Sequence, residues 1–431
     1  MERTENITLF GTKALEMLFD NGNYTEIGAH VTRGHGSEEY EGVVTAYGPM
    51  SGRLVFAFAQ DSDRMKGAFD SRTAKKIENL YELALKSGAP VVGVFASSGS
   101  VITEGSSLLG GLSSFLTAVA AASGNIPQVA LVSGVCTGCM ATAASMFDFS
   151  VAIEGAEFSA GAGSATEGKG IKPSVCASTE REAVASVRAI VSAIPDNCDR
   201  GPAIADETDL NRDTGLSTEE AKAPDKLISA LSDDGSFVEI GDRNDRMITG
   251  FAPIAGRYIG LVAAFGDITA EGAEKAASFV GFCSDYSIPV LTLIDSNGFD
   301  ICPEAEAAGL GRASAKLAMA YRNAGSPRIS AVIGNACGAS LPIMGSRKGA
   351  ADISFALDSA VISPLSPERS VAFLMNDMVS KDKTREDLEA EFAAGEASAV
   401  NAAFDGDLDF VVSIDELRRR ICGALFMLDR E

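Results

Sequence analysis

Tryptophan is absent from this chain of 431 residues, and histidine occurs only twice, at His30 and His35. A histidine-rich zinc site or a Ser-His-Asp triad has to use one of those two. Neither sits in an apolar strand–turn context, so both are expected to be structural or surface residues. Positive charge is also short: 36 Lys and Arg stand against 59 Asp and Glu, a formal net charge of −23. A field of that sign repels nucleic acid and anionic lipid, which excludes both as bulk partners but leaves room for a local cationic patch.

Long hydrophobic runs are missing too. The longest apolar-looking stretch, Leu108 to Ala122, is interrupted by Gly110, Gly111, Ser113 and Ser114. It falls short of the roughly 20 apolar residues of a membrane span, so a buried helix is expected. The opening MERTENITLF has no apolar core of the signal-peptide type, and none is expected. Eight cysteines are scattered with no disulfide framework, which fits a reducing cytoplasm.

What is present is apolar and small. Apolar residues make up 46% and charged residues 22%, a globular composition, and the length predicts two or three domains. The chain also repeats itself. FDNGNYTEIG (Phe19 to Gly28) returns as LSDDGSFVEIG (Leu231 to Gly241). Each is followed by an apolar strand pattern holding Gly-Arg, at Gly52-Arg53 and at Gly256-Arg257. Helical spacing then predicts helices over Arg72 to Lys86 and over Ala270 to Tyr286. Each leads through a proline turn into a buried-strand run, APVVGVFASSG and IPVLTLIDSNGF. A further unit follows in both halves, IPQVALVSGVCTGCMA from Ile126 and SPRISAVIGNACGASLP from Ser326. Pro127 and Pro327, Gly134 and Gly334, and Gly138 and Gly338 are each 200 residues apart. Matched strand–turn–helix units at constant offset predict two homologous α/β halves, 1–205 and 226–431. The polar stretch Pro195 to Pro224 predicts an exposed linker, centred on 206–225.

The glycine turns carry the chemistry. A buried strand that ends in glycine before a helix presents unpaired backbone N–H groups at the positive end of that helix. Such donors suit an oxyanion. The candidates are Gly138 and Cys139 in the first half and Gly338 and Ala339 in the second. Cys136 and Cys139 form a C-x-x-C, but no second pair completes a zinc set. Small residues at a crowded turn are the expected reading, and no metal is expected.

At these residues the chain resembles the carboxyltransferase (beta) subunits of biotin-dependent acyl-CoA carboxylases. The segments GVVTAYGPMSGRLVFAFAQD, AKKI, LALKSGAPVVGV, GVCTGCMA, FCSDYSIPVLTLIDSNGF and ACGAS carry the likeness along nearly the whole chain. The resemblance implies two tandem crotonase-like (ClpP/crotonase) domains of the ββα-superhelix type. It implies a coenzyme A thioester in the first half and biotin, borne on a separate carrier protein, in the second. By position, Gly138 and Cys139 would hold the thioester enolate, and Gly338 and Ala339 the biotin ureido oxygen. Ser98, Gly99, Asn297, Gly298 and Leu341 would contact substrate. The implied partners are a biotin carboxyl carrier protein, a biotin carboxylase or a membrane decarboxylase subunit, and a second copy of the chain. The two halves meet across a subunit boundary in the family, so a monomer is expected to be inactive. The location implied is cytoplasmic, with any membrane association through a partner subunit.

The loop that usually reads like SGGARIQEG is SSGSVITEG here, with Val101 where arginine is usual and Ser98 where glycine is usual. Cys139 replaces a common glycine, and Asn297 a common proline. An apolar residue at Leu341 favours a short acyl group. The chain has no biotinyl-lysine motif of the A-M-K-M type and no glycine-rich ATP loop ending in Lys and Ser or Thr, so partners must supply both functions. Two alternatives stay open. One is a biotin-independent crotonase-type enzyme with Glu104 or Glu154 as its acid–base group. The other is a degenerate, non-catalytic subunit.

Overall fold

A computed structural model describes residues 9–31, 41–97, 99–161, 170–206, 208–243, 246–380 and 382–429. It divides into two compact units, Met1–Arg200 and Gly201–Glu431, described one at a time.

The first unit opens with α1 (Gly11–Leu18), β1 (Thr25–Ile27), β2 (Val43–Met50) and β3 (Arg53–Gln60). The helix α2 (Ser71–Ser87) leads to β4 (Val91–Phe95), and α3 (Ser106–Ala122) leads to β5 (Gln128–Val132). There follow β6 (Val135–Thr137), α4 (Cys139–Ser145), β7 (Phe149–Ile153), β8 (Glu157–Ser159), β9 (Val175–Ala177) and α5 (Glu180–Ala193). The described strands form a sheet in the order β1-β2-β3-β4-β5-β7-β9, with β6 and β8 paired separately. β1, β2 and β3 are antiparallel, and every later neighbour is parallel. Parallel pairing needs crossovers, and α2 and α3 supply them, as the alternating apolar strands and helical spacing predict.

Local sequence explains where α2 starts and stops. Asp70 caps it by accepting from the Arg72 and Thr73 N–H groups, and Gly88 ends it in the left-handed region that glycine adopts without strain. Its buried face carries Thr73, Ala74, Lys76, Ile77, Leu80, Tyr81 and Ala84. The stretch from Leu108 is a helix, as expected, with Leu108, Phe115 and Val119 inward. Phe58 of β3 meets Phe95 and Phe115 edge-on, with ring centroids 5.4 and 6.0 Å apart. Truncating such a buried ring costs about 3–5 kcal/mol, so this cluster anchors the sheet to its helices.

The second unit repeats the plan. It holds α6 (Thr218–Ala221), α7 (Pro224–Leu231), β10 (Val238–Ile240), β11 (Met247–Ile254), β12 (Arg257–Phe265), α8 (Ala270–Asp285) and β13 (Val290–Ser296). Next come α9 (Pro303–Ala307), α10 (Leu310–Asn323) and β14 (Arg328–Cys337), then a π-helical turn at Leu341–Gly345. β15 (Ile353–Leu357), β16 (Val361–Ser363), α11 (Pro367–Leu374), α12 (Arg385–Ala394), α13 (Ala399–Phe404), β17 (Phe410–Val412) and α14 (Ile414–Leu428) complete it. Its described sheet runs β10-β11-β12-β13-β14-β15-β17, with β16 on the far end of β14.

The polar stretch predicted as an exposed linker is largely part of this second unit. The Tyr258 N–H donates to the Ala203 carbonyl at 2.8 Å, and the Ala205 N–H to the Gly256 carbonyl at 2.9 Å. Thr214 is buried and donates to the Ile414 carbonyl at 3.1 Å. The physical cause is Arg418, which is fully buried and needs acceptors. It donates to the Asp209 carbonyl, the Thr208 hydroxyl and the Asp233 carboxylate. Ser217 and Glu220 then form a capping box that starts α6. Among the described residues, no helix is long and apolar enough to cross a membrane.

Candidate functional site

Both turns singled out in the sequence have the same build. Gly138 follows β6 with φ +60°, and Gly338 follows β14 with φ +58°, a conformation that residues with side chains rarely adopt. β6 runs parallel to β8 with Thr137 opposite Ser159, and the end of β14 runs parallel to β16 with Cys337 opposite Ser363. Neither turn is sealed in a core. Gly138 and Cys139 are half-exposed, and Gly338 and Ala339 are exposed. Among the described residues, a β-carbon on Gly138 would meet no heavy atom within 4 Å, and one on Gly338 only the Pro364 carbonyl at 3.7 Å. A ligand can therefore approach either backbone closely.

The donors are not all as expected. The Gly338 N–H donates to the Ser363 carbonyl at 3.1 Å, because the ladder between β14 and β16 runs on for one more bond. In the second turn the outward donor is therefore Ala339, whose N–H has no acceptor among the described residues. In the first turn Cys139 opens α4, so its N–H has no carbonyl four residues back within that helix. Cys139 and Ala339 are thus the matched pair.

A loop stands beside each turn, and the two loops are wired alike. The Ser97 hydroxyl donates to the Gly99 carbonyl at 2.9 Å and accepts the Gly99 N–H at 3.1 Å. Ser296 does the same for Gly298, at 3.1 Å in both directions. The Gly99 carbonyl also takes the Phe69 N–H at 2.9 Å, and the Gly298 carbonyl the Ile268 N–H at 2.9 Å. The Ser97 N–H donates to the Val135 carbonyl at 2.7 Å, tying this loop to the strand that leads into Gly138. In the second unit a β-carbon on Gly298 would lie 3.3 Å from the Cys337 carbonyl, so that loop lies against its turn. Sequence reasoning passed over Ser97 and Ser296, although the Ser-x-Gly spacing is visible in both SSG and SNG.

Of the remaining candidates, Asn297 is exposed and accepts from Asn335 Nδ2 at 2.9 Å. Asp295 holds the Asn335 N–H at 2.8 Å. Leu341 opens the π-helical turn that follows Ala339 and Ser340. It is 7% exposed, and its side chain packs beside Gly345 at the start of the π turn. Ser98 and His35 lie outside the described residues, and His30 is exposed in the turn after β1.

The alternative acid–base carboxylates are placed for other work. Glu104 accepts from the Ser71 N–H at 2.8 Å and from the Ser71 hydroxyl at 3.1 Å, bracing the start of α2. Glu154 is exposed after β7. The cysteines are thiols in protein surroundings: Cys136 is buried, and burial pushes its thiol up to about 12. Burial also raises the Cys139 thiol, so neither favours the thiolate that redox or metal chemistry uses.

The carboxyl transferase domain profile matches residues 8–167 and 159–430. A putative propionyl-CoA carboxylase beta chain of Bacillus subtilis is 32% identical, over 90% of this chain and 83% of the relative. A methylmalonyl-CoA decarboxylase subunit alpha of Veillonella parvula is 28% identical, over 96% of this chain and 89% of its own length. A crystal structure of transcarboxylase 12S, a hexamer assembly with methylmalonyl-coenzyme A and methylmalonic acid bound, superimposes with a TM-score of 0.86. It is 25% identical, and the match covers 98% of this chain and 90% of that one. The architecture is therefore the tandem crotonase-like α/β fold, and the chain belongs to the carboxyl transferase domain family.

Proposed function

We propose that this chain is the carboxyltransferase subunit that moves a carboxyl group between carboxybiotin, borne on a separate carrier protein, and a short-chain acyl-CoA. The observation that carries the reading is the pair of accessible glycine turns, φ +60° and +58°, each followed by a backbone N–H with no hydrogen-bond acceptor among the described residues. Negative charge develops on two oxygens in this reaction, the thioester oxygen as the α-carbon becomes nucleophilic and the ureido oxygen as its nitrogen is released. One fixed donor set for each oxygen meets that need without histidine.

In this reading the Cys139 N–H, supported by the positive end of α4, holds the thioester oxygen. The Ala339 N–H holds the ureido oxygen. Gly99 and Gly298, locked by Ser97 and Ser296, set the loops that line the two ligands. The chemistry is between the substrates, and the chain orients them. The biotin carrier and a biotin carboxylase, or a membrane decarboxylase subunit, are the implied partners. The active form is a homo-oligomer, at least a dimer, in the cytoplasm, with a membrane reached only through a partner.

Purified protein given malonyl-CoA or methylmalonyl-CoA and free biotin should release the decarboxylated thioester, and only when biotin is present. Release of product at the same rate without biotin supports a biotin-independent crotonase-type enzyme instead. The bracing of Glu104 on Ser71 weighs against that alternative. No turnover with any acyl-CoA by a well-folded oligomer points to a non-catalytic subunit.

A further inference from the structure

The second turn carries a feature that the first lacks. Asn335 stands where Val135 stands in the first unit, in the same register after a paired glycine. Its side chain donates from Nδ2 to Asn297 Oδ1 at 2.9 Å, and its own N–H is held by Asp295 at 2.8 Å. The first bond orients both side-chain amides, and the second fixes the Asn335 backbone. Asn335 Oδ1 is left as an acceptor and Asn297 Nδ2 as a donor, neither with a partner among the described residues. Both residues are at the surface, Asn297 exposed and Asn335 half-exposed. Asn297 adjoins Gly298, which lies against the Cys337 carbonyl, one residue before the turn.

The chemistry of a cyclic urea matches what these groups offer. It has one carbonyl oxygen, and of its two nitrogens only one reacts, so the other keeps its N–H throughout. A site that holds such a ring needs donors for the oxygen and an acceptor for the surviving N–H. A thioester carbonyl offers no N–H for an acceptor to meet. We propose that the Asn297–Asn335 amide pair is a specificity element for a cyclic urea at the Ala339 turn. Asn335 Oδ1 accepts the unreacting N–H, and Asn297 Nδ2 donates to the carboxyl group being transferred. This rests on the placement of biotin at the second turn given above.

Steady-state kinetics with malonyl-CoA and free biotin test it on the intact chain, comparing wild type with N297A and N335A. N335A should raise the KM for biotin by about tenfold, the size of one lost hydrogen bond, and N297A, which loses the contact to the carboxyl group in transit, should lower kcat by about tenfold. The KM for the thioester and the melting temperature should stay as in wild type in both variants. A cyclic carbamate analogue, with ring oxygen in place of the unreacting N–H, should be a poor substrate for wild type. N335A should lose that preference. In an active enzyme, an unchanged biotin KM in N335A or an unchanged kcat in N297A overturns the assignment of the pair while leaving the proposed reaction intact. A parallel rise in both KM values with a lower melting temperature overturns it as well, since that marks a structural role. Absence of biotin-dependent turnover in wild type overturns the reaction and this proposal with it.

Discussion

Ser97 and Ser296 stand 199 residues apart and make the same pair of hydrogen bonds, each hydroxyl closing on the carbonyl and the N–H of the glycine two residues on. Both serines are buried at the ends of parallel strands, Ser97 just past β4 and Ser296 closing β13. A duplicated loop lock of this kind holds each glycine at a fixed height beside its turn.

Removing either lock should act on one substrate only. Ser296→Ala leaves the buried Gly298 N–H without its acceptor, which costs about 1–3 kcal/mol. The KM for biotin should rise severalfold while the KM for the thioester holds. Ser97→Ala should show the reverse split. Varying each substrate at saturation of the other reads this directly, and equal effects on both KM values contradict separate loops.

Gly334→Ala should destabilise the second unit although its backbone is ordinary. The added β-carbon would stand 2.2 Å from Asp295 Oδ1 and 2.5 Å from Cγ, so the carboxylate has to leave the Asn335 N–H. Overpacking of that size costs about 1–3 kcal/mol. Denaturant unfolding should show a lower midpoint with an unchanged slope.

Arg418→Met should cost more, about 3–5 kcal/mol, because it strands the Asp233 carboxylate with no exposure to water. Asp233 also holds the Gly256 N–H at 2.8 Å, so some hydrogen bonding survives. Adding Asp233→Asn to the variant should restore part of the stability, and a double-mutant cycle by denaturant unfolding measures the coupling.

The repeat, its strands and both turns were legible because they rest on local features. Glycine spacing, apolar runs and helical periodicity survive in each half without reference to the other. Bond direction was not legible. Nothing in the identity of Gly338 says that its N–H turns to Ser363, since that depends on how far β16 runs along β14. Leu341 opens a π-helical turn that packs it beside Gly345, an arrangement that its place after the glycine does not announce. The stretch read as a linker joins the second unit because Arg418, 209 residues beyond Asp209, reaches back to its carbonyl. A polar composition carries no sign of so distant a partner.

The most direct measurement removes one N–H and little else. Cys139 is the first residue of α4, a position where proline fits the helix and lacks only the donor. Turnover of malonyl-CoA with free biotin should be near wild type in Cys139→Ala, which keeps the N–H. It should fall by about 10²–10³ in Cys139→Pro, with circular dichroism and oligomer size unchanged. A proline variant within tenfold of the alanine variant would mean that the amide at this turn does not hold the developing oxyanion.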